Sequence, residues 1–472
     1  MAHSIEMSTL EASIPLLLVV VATSAWLGPL GCGSGRTALR GVAPPTESPA
    51  LSPPEIAALI PARVDDRPGW SQAISNAIFA NHLKADRESV CAVIAVIGQE
   101  SGFAEDPVVP GLAALAAARV ERYRARLGPL GEPLFRALLE GHAPGDSRSF
   151  RARLATVRTE HDVDRLFRDL LAYYQANHPA IFATFDLVGK LLDLDSLADL
   201  NPITTAGSMQ VSVRFAEDWA RAHEEEDQSE KKSGKQGPAR AASSFVTVRE
   251  SLYTRRGGVY YGTARLLSYP VRYQQAIFRF ADYNAGFYAS RNAAIQSQLS
   301  QLTGIPLARD GDLLSYRKNG TPREDETESM RAIETFARRF APRLSGDQIE
   351  HDLQDEKTLG FEDTQTYRAI RTAAGQQLAA SLQSIRQQGL PIDPPHASVP
   401  PRASVPPYAS VPPYATLPQV ALTSPKLSRT RSTAWFAQSV DRRYQTCLSE
   451  ADTRRRDPVA APGSARWRSS IP

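Results

Sequence analysis

The chain of 472 residues has little histidine, little cysteine and little lysine. Its 8 histidines and 3 cysteines fall into no CxxC or HExxH spacing, which argues against a protein-built metal site. Lysine supplies 8 of the 54 basic residues; the other 46 are arginines, scattered along the whole length rather than gathered at a phosphate site. A net charge of +3 is too small to imply nucleic acid or an anionic membrane surface as a partner. No apolar run is long enough for a comfortable membrane span. No convincing series of alternating residues marks out strands. No motif calls for a cofactor. What is there, 42% hydrophobic and 22% charged residues, suits a soluble globular protein of one large domain or two ordinary ones, plus tails.

The N-terminus carries "SIPLLLVVVATSAWLGPLGC", apolar from Ile14 to Leu27 and then small up to Cys32. Such a stretch suits a secretory signal, here residues 1–31. Its ending, "LGPLGCGSG", resembles a bacterial lipobox, in which the cysteine becomes the lipid-modified new N-terminus. The expectation is an exported protein held to a membrane through Cys32. An ordinary signal peptide or an uncleaved anchor is the alternative. Gly33 after the cysteine, rather than aspartate, favours the outer membrane and a periplasmic location.

Glycine, proline and serine between Gly33 and Pro54 predict a flexible tether, taken over residues 32–66. Helical spacing begins with Trp70, Ile74, Ala77 and Ile78. Val163, Leu166, Phe167, Leu170, Leu171 and Tyr174 form one apolar stripe; Tyr367, Ile370, Ala374, Leu378, Leu382 and Ile385 form another, and both read as core. The reading is mainly α: a helical domain over 67–300, a helical extension over 301–390 and a tail helix within 426–472. "HEEEDQSEKKSGKQGPARAASS", residues 223–244, reads as a charged loop, and the six-residue proline repeats within 391–425 as a stiff linker.

Three short motifs carry chemistry. In "CAVIAVIGQESGF", Val93, Val96, Ile97 and Glu100 share a helical face, so a carboxylate ends an apolar stripe. The negative end of the helix dipole and apolar neighbours both favour its protonated form, as a general acid requires. "TTAGSMQVS" offers Gly207 for close backbone approach, Met209 as an adaptable apolar surface and Gln210 as donor and acceptor. "FADYNAGFY" sets Tyr283 and Asn284 beside Ala285 and Gly286. Taken alone, each is also satisfied by an ordinary helix end or turn.

In this order, Glu100-Ser101-x-Phe103, Gly207-x-Met209-Gln210 and Tyr283-Asn284-Ala285-Gly286 together resemble the lysozyme-like lytic transglycosylases, over about Trp70 to Gln298. The layout is similar to that of a group of bacterial lipoproteins carrying such a domain. The resemblance implies a lysozyme-like helical catalytic domain that cleaves peptidoglycan glycan strands between N-acetylmuramic acid and N-acetylglucosamine, leaving 1,6-anhydro-muramyl ends. Glu100 would be the single acid/base and Ser101 its hydrogen-bonding neighbour. Gln210 and Asn284 would contact the saccharide, Met209 would pack on it, and Tyr283 would orient the glutamate. The long stretch between Glu100 and Gly207 departs from the family and predicts a helical insertion over about 107–200, placed where it can cover or reshape the cleft.

Two other readings stay open. A hydrolytic muramidase would use the same Glu100 with water and a second carboxylate, for which Asp106 is a candidate shortly downstream. A non-catalytic envelope lipoprotein would only bind peptidoglycan. Finally, Phe436, Val440, Tyr444 and Cys447 step along one helical face, and Cys91 begins the helix that ends at Glu100, about 13 Å further on. In an exported protein a Cys91–Cys447 bond would tie the tail to that helix. The alternative is a small core residue and an unrelated free thiol.

Overall fold

A computed structural model describes residues 49–126, 128–179, 201–232, 248–317, 320–387, 413–422 and 431–456. The signal segment, Cys32, the tether up to residue 48, the charged stretch beyond Lys232 and the proline repeats up to residue 412 lie outside the described residues.

The described chain is mainly helical, with two antiparallel ladders of two residues per strand. Among the described residues no helix is long and apolar enough to cross a membrane. Three apolar clusters organise it. The first joins the helices Arg67–Ala80, Arg87–Glu100, Arg255–Leu267, Ala276–Ala285 and Thr433–Arg456 around residues such as Trp70, Ile78, Val93, Ile97, Phe280 and Val440. The second holds Ala289–Thr303, Glu328–Phe340, Gly346–Leu353 and the first turns of Gln365–Gln387 around Leu299, Phe336 and Phe361. The third belongs to the insertion, where Phe150, Val163, Leu166, Leu170 and Tyr174 pack together. Each large side chain buried this way contributes about 1.5–3 kcal/mol before chain entropy is counted.

The helix Arg87–Glu100 starts where the Asp86 carboxylate accepts from the Ser89 N–H at 2.8 Å, and every residue from Val90 to Ile97 is buried. It stops at Gly102, which takes a left-handed conformation (φ +62°) and donates its N–H to the Ile97 carbonyl. The tail helix Thr433–Arg456 packs on this helix and on Ala276–Ala285, with Phe436, Val440, Tyr444 and Cys447 buried. Cys447 is bonded to Cys91, their Cα atoms 5.6 Å apart.

Four expectations need correction. The tether ends sooner than residue 66: Pro53–Leu59 is a helix that puts Ile56, Leu59 and Ile60 into the first cluster. Prolines at the first helical positions lose no hydrogen bond, and Ser52 and Glu55 cap one another, so this proline pair opens a helix. The proline-rich linker likewise ends before residue 425. Ala415 is buried, the Thr416 and Gln419 N–H groups donate to Ser290 and Arg309, and Ala421–Leu422 pairs with Arg431–Ser432. The charged stretch opens not as a loop but as the end of the helix Val213–Lys232, since glutamate and lysine are good helix formers. The second apolar stripe is core for only half its length: Tyr367, Ile370 and Ala374 are buried, whereas Leu378 and Leu382 are each 38% exposed.

Candidate functional site

The three motifs converge. The segment 205–212 is a tight hairpin, Thr205–Ala206 pairing with Val211–Ser212 around Gly207, Ser208, Met209 and Gln210. Its tip needs a glycine first: Gly207 has φ +78°, and a Cβ there would lie 1.9 Å from the Leu252 carbonyl oxygen. Gln210 is also left-handed (φ +52°), a conformation uncommon outside glycine and held here by the ladder on either side. Met209 is fully buried, its side chain filling the space that a Cβ on Gly262 would need. The side chain is therefore core and offers no surface to a saccharide. What Met209 brings to the site is its carbonyl, which accepts the Tyr283 hydroxyl at 2.7 Å.

That hydrogen bond joins the second motif to the third. Tyr283 is buried on the helix Ala276–Ala285, which ends at Gly286 (φ +122°). The turn beyond is fixed by Asp282, wholly buried, whose carboxylate accepts from the Tyr269 and Tyr273 hydroxyls and the Tyr288 and Ser290 N–H groups. The Tyr283 phenol is pushed far above its ordinary pKa, by burial first and then by the charge of Glu100, while Arg265 acts in the opposite sense. Tyr283 thus stands in the electrostatic reach of both an acid and a cation.

Glu100 is the last residue of its helix and is partly exposed. Ser101 turns its hydroxyl back to the Ile97 carbonyl at 3.2 Å, closing the helix end. Phe103 packs edge-on to Trp70 at 5.4 Å. On the neighbouring Gln99, Arg443 of the tail helix donates to the side-chain oxygen at 3.2 Å, one turn from the disulfide at Cys447. Asn284 is exposed, and its side-chain oxygen accepts from the Thr433 hydroxyl at 2.8 Å. The tail therefore reaches two of the three motifs.

The insertion reaches the remaining one. Gln210 donates to the Glu160 carboxylate at 2.8 Å and accepts from the Thr205 hydroxyl at 3.2 Å. Glu160, buried, is the first residue of Glu160–Asn177, a helix opened by the reciprocal Thr159 and Asp162 cap. The helix is pinned beside the hairpin by charge. The fully buried Asp164 accepts from Asn201 at 2.7 Å, from Arg168 at 2.9 Å and from Arg249, which also donates to the Ile203 carbonyl. Glu250 pairs with Arg168 and with His161, the latter at 2.8 Å, and the His161 ring stacks on Tyr253 at 4.1 Å. Charges buried this way hold only as a set, because losing one partner strands another. Asp106, the sequence candidate for a second carboxylate, faces Thr159 and His161; burial raises its pKa above the ordinary aspartate value.

Three residues of this site were not foreseen: Glu160 on Gln210, Thr433 on Asn284, and Arg265 beside Tyr283. The Thr159-x-x-Asp162 cap marks a helix start just before Glu160, but nothing local names its partner. Among the described residues no group of three or more histidine, cysteine, aspartate or glutamate side chains is placed to hold a metal ion.

The body that carries these motifs is mainly helical, and its family follows from direct comparison. Residues 63–391 and 406–450 match the family described as "Protein of unknown function (DUF1615)", and the chain belongs to it. It is similar to the "Uncharacterized protein YaiW" of Escherichia coli (strain K12), with 32% identity over 393 residues that cover 83% of this chain and 88% of that one. No solved structure matches the chain.

Proposed function

We propose that this protein is an exported peptidoglycan lytic transglycosylase with a lysozyme-like catalytic core, in which Glu100 is the single acid/base. The observation that carries the reading is the Tyr283–Met209 hydrogen bond. It draws the second and third motifs together at a tyrosine that feels the Glu100 charge, although the three segments lie far apart in sequence.

In this mechanism Glu100 protonates the glycosidic oxygen as positive charge builds on the muramyl ring. The ring's own acetamido oxygen attacks the anomeric carbon, taking the place of a protein nucleophile. The Glu100 carboxylate then removes the proton from the 6-hydroxyl, whose oxygen displaces the acetamido group and closes the 1,6-anhydro ring. No water is consumed, and Glu100 ends protonated, as it began. The Ser101 hydroxyl and Tyr283 steady the helix end and hairpin around it, while Gln210 and Asn284 are the saccharide contacts. Anchoring through a lipid on Cys32, in the outer membrane facing the periplasm, would hold the enzyme beside its polymer.

Glu160 gives the hydrolytic alternative a specific basis, since it sets a second carboxylate, from the insertion, on Gln210. Digestion of purified peptidoglycan with the products read by mass separates the readings. Anhydro ends are expected. Products heavier by one water would make the enzyme a muramidase, and binding without release of fragments would make it a non-catalytic envelope protein.

A further inference from the structure

The helix Arg255–Leu267 carries Arg265 in its last turn, next to Tyr283. Its guanidinium lies 4.7 Å from the centre of the Phe287 ring and 5.3 Å from that of Phe215, two rings that meet nearly at right angles 5.8 Å apart. Phe287 directly follows the Tyr-Asn-Ala-Gly motif, and Phe215 follows the Gly-x-Met-Gln hairpin by a few residues. Both rings are partly exposed, as is the arginine. Tyr269 and Trp219 extend the wall, at 4.6 Å from Phe287 and 5.7 Å from Phe215.

Arginine has five N–H donors and keeps its charge in proteins. Elsewhere in this site the arginines are answered: Arg249 and Arg168 by Asp164, Arg255 by Glu105 and Asp66. The Arg265 side chain makes no hydrogen bond and no ion pair with any described residue. Burial lowers its pKa, Arg214 adds like-charge repulsion, and the nearby Asp282 carboxylate is spent on its own four donors. Two aromatic faces partly offset the desolvation, yet they cannot satisfy the donors. A half-buried fork of donors, walled by rings and open to solvent beside the motifs, is built to take an acceptor from outside.

We propose that Arg265, between Phe215 and Phe287, is a subsite for a carboxylate carried by the glycan or its attached peptide, and that it sets the preference for muramyl substrates over neutral saccharides. The guanidinium would take the carboxylate in two parallel hydrogen bonds, and the rings would pack against the apolar face of the sugar. The proposal rests on the glycan-cleaving reading of Glu100 and adds the substrate's charge to it.

The test compares a muropeptide, which bears carboxylates, with a neutral N-acetylglucosamine oligomer. Affinity for both is measured on the Glu100→Gln protein, and KM and kcat on the active one. Wild type should favour the muropeptide. Arg265→Gln should weaken muropeptide binding and raise its KM about tenfold or more, with kcat and the neutral oligomer little changed, because a charge-assisted pair is lost only where the ligand has the charge. Arg265→Lys, a point charge without the fork, should restore part of the preference and keeps the test open if the glutamine variant melts early. Equal losses for both ligands, or no loss for either, would overturn the subsite and leave the glycan reading standing. A wild-type protein that neither binds nor cleaves either ligand would refute the glycan reading, and the subsite with it.

Discussion

Breaking the Cys91–Cys447 bond should cost this protein more than most single changes. The bridge closes a loop of 356 residues, for which the chain-entropy relation gives about 6 kcal/mol as a ceiling. Native disulfides usually deliver less, and removing one typically costs about 2–5 kcal/mol. Cys91→Ala, Cys447→Ala and the double variant should each lose that amount, and equally, because all three delete the same bond. Each sulfur is buried, so a small cavity cost is shared as well. The tail should stay docked under native conditions, since Phe436, Ala437, Val440 and Tyr444 bury their apolar surface without the bridge. Denaturant unfolding reads the loss, and limited proteolysis should cut the tail sooner in the variants. Two reactive thiols besides Cys32 in the unfolded, unreduced protein would refute the bond. Unfolding midpoints unchanged across all three variants would refute its energetic role.

Gly207→Ala should destabilise by about 3 kcal/mol or more, since it combines a left-handed backbone with a clash against the Leu252 carbonyl; thermal melting reads it, and an unchanged midpoint would refute the close packing of the hairpin on Leu252. Tyr283→Phe should leave the Met209 carbonyl buried without its donor, cost about 1–3 kcal/mol in denaturant unfolding and slow peptidoglycan cleavage; full activity would remove Tyr283 from the site. Cys32→Ala should abolish acylation and release the protein from the membrane fraction, whereas a variant that stays membrane-bound would make the N-terminal apolar stretch an anchor.

The features legible in the sequence are those set by local periodicity. The unbroken apolar run ahead of Glu100 is a buried helix from Val90 to Ile97, and the step from Phe436 to Cys447 is a buried face. Periodicity does not say how long a face stays covered, and so Leu378 and Leu382 read as core although the body ends beneath them. Nor does it say which way a lone apolar residue in a turn points; Met209 faces inward because Gly262 leaves room for it. Glu160 was illegible because its place on Gln210 depends on docking the insertion through Asp164 and Glu250, contacts made across long stretches of chain. Arg265 was one of 46 arginines, and its distinction is the lack of an acceptor among the described residues, which only neighbours can reveal.

The proposed role of Glu100 as the acid/base of a glycan-cleaving site stands or falls on wild type set beside Glu100→Gln in release of soluble fragments from purified peptidoglycan. The swap keeps the shape of the side chain and removes its transferable proton. Wild type should release anhydro-ended fragments and the variant should do so about 10²-fold more slowly or worse, with folding and binding to the polymer retained. A variant that releases fragments at the wild-type rate would contradict that role.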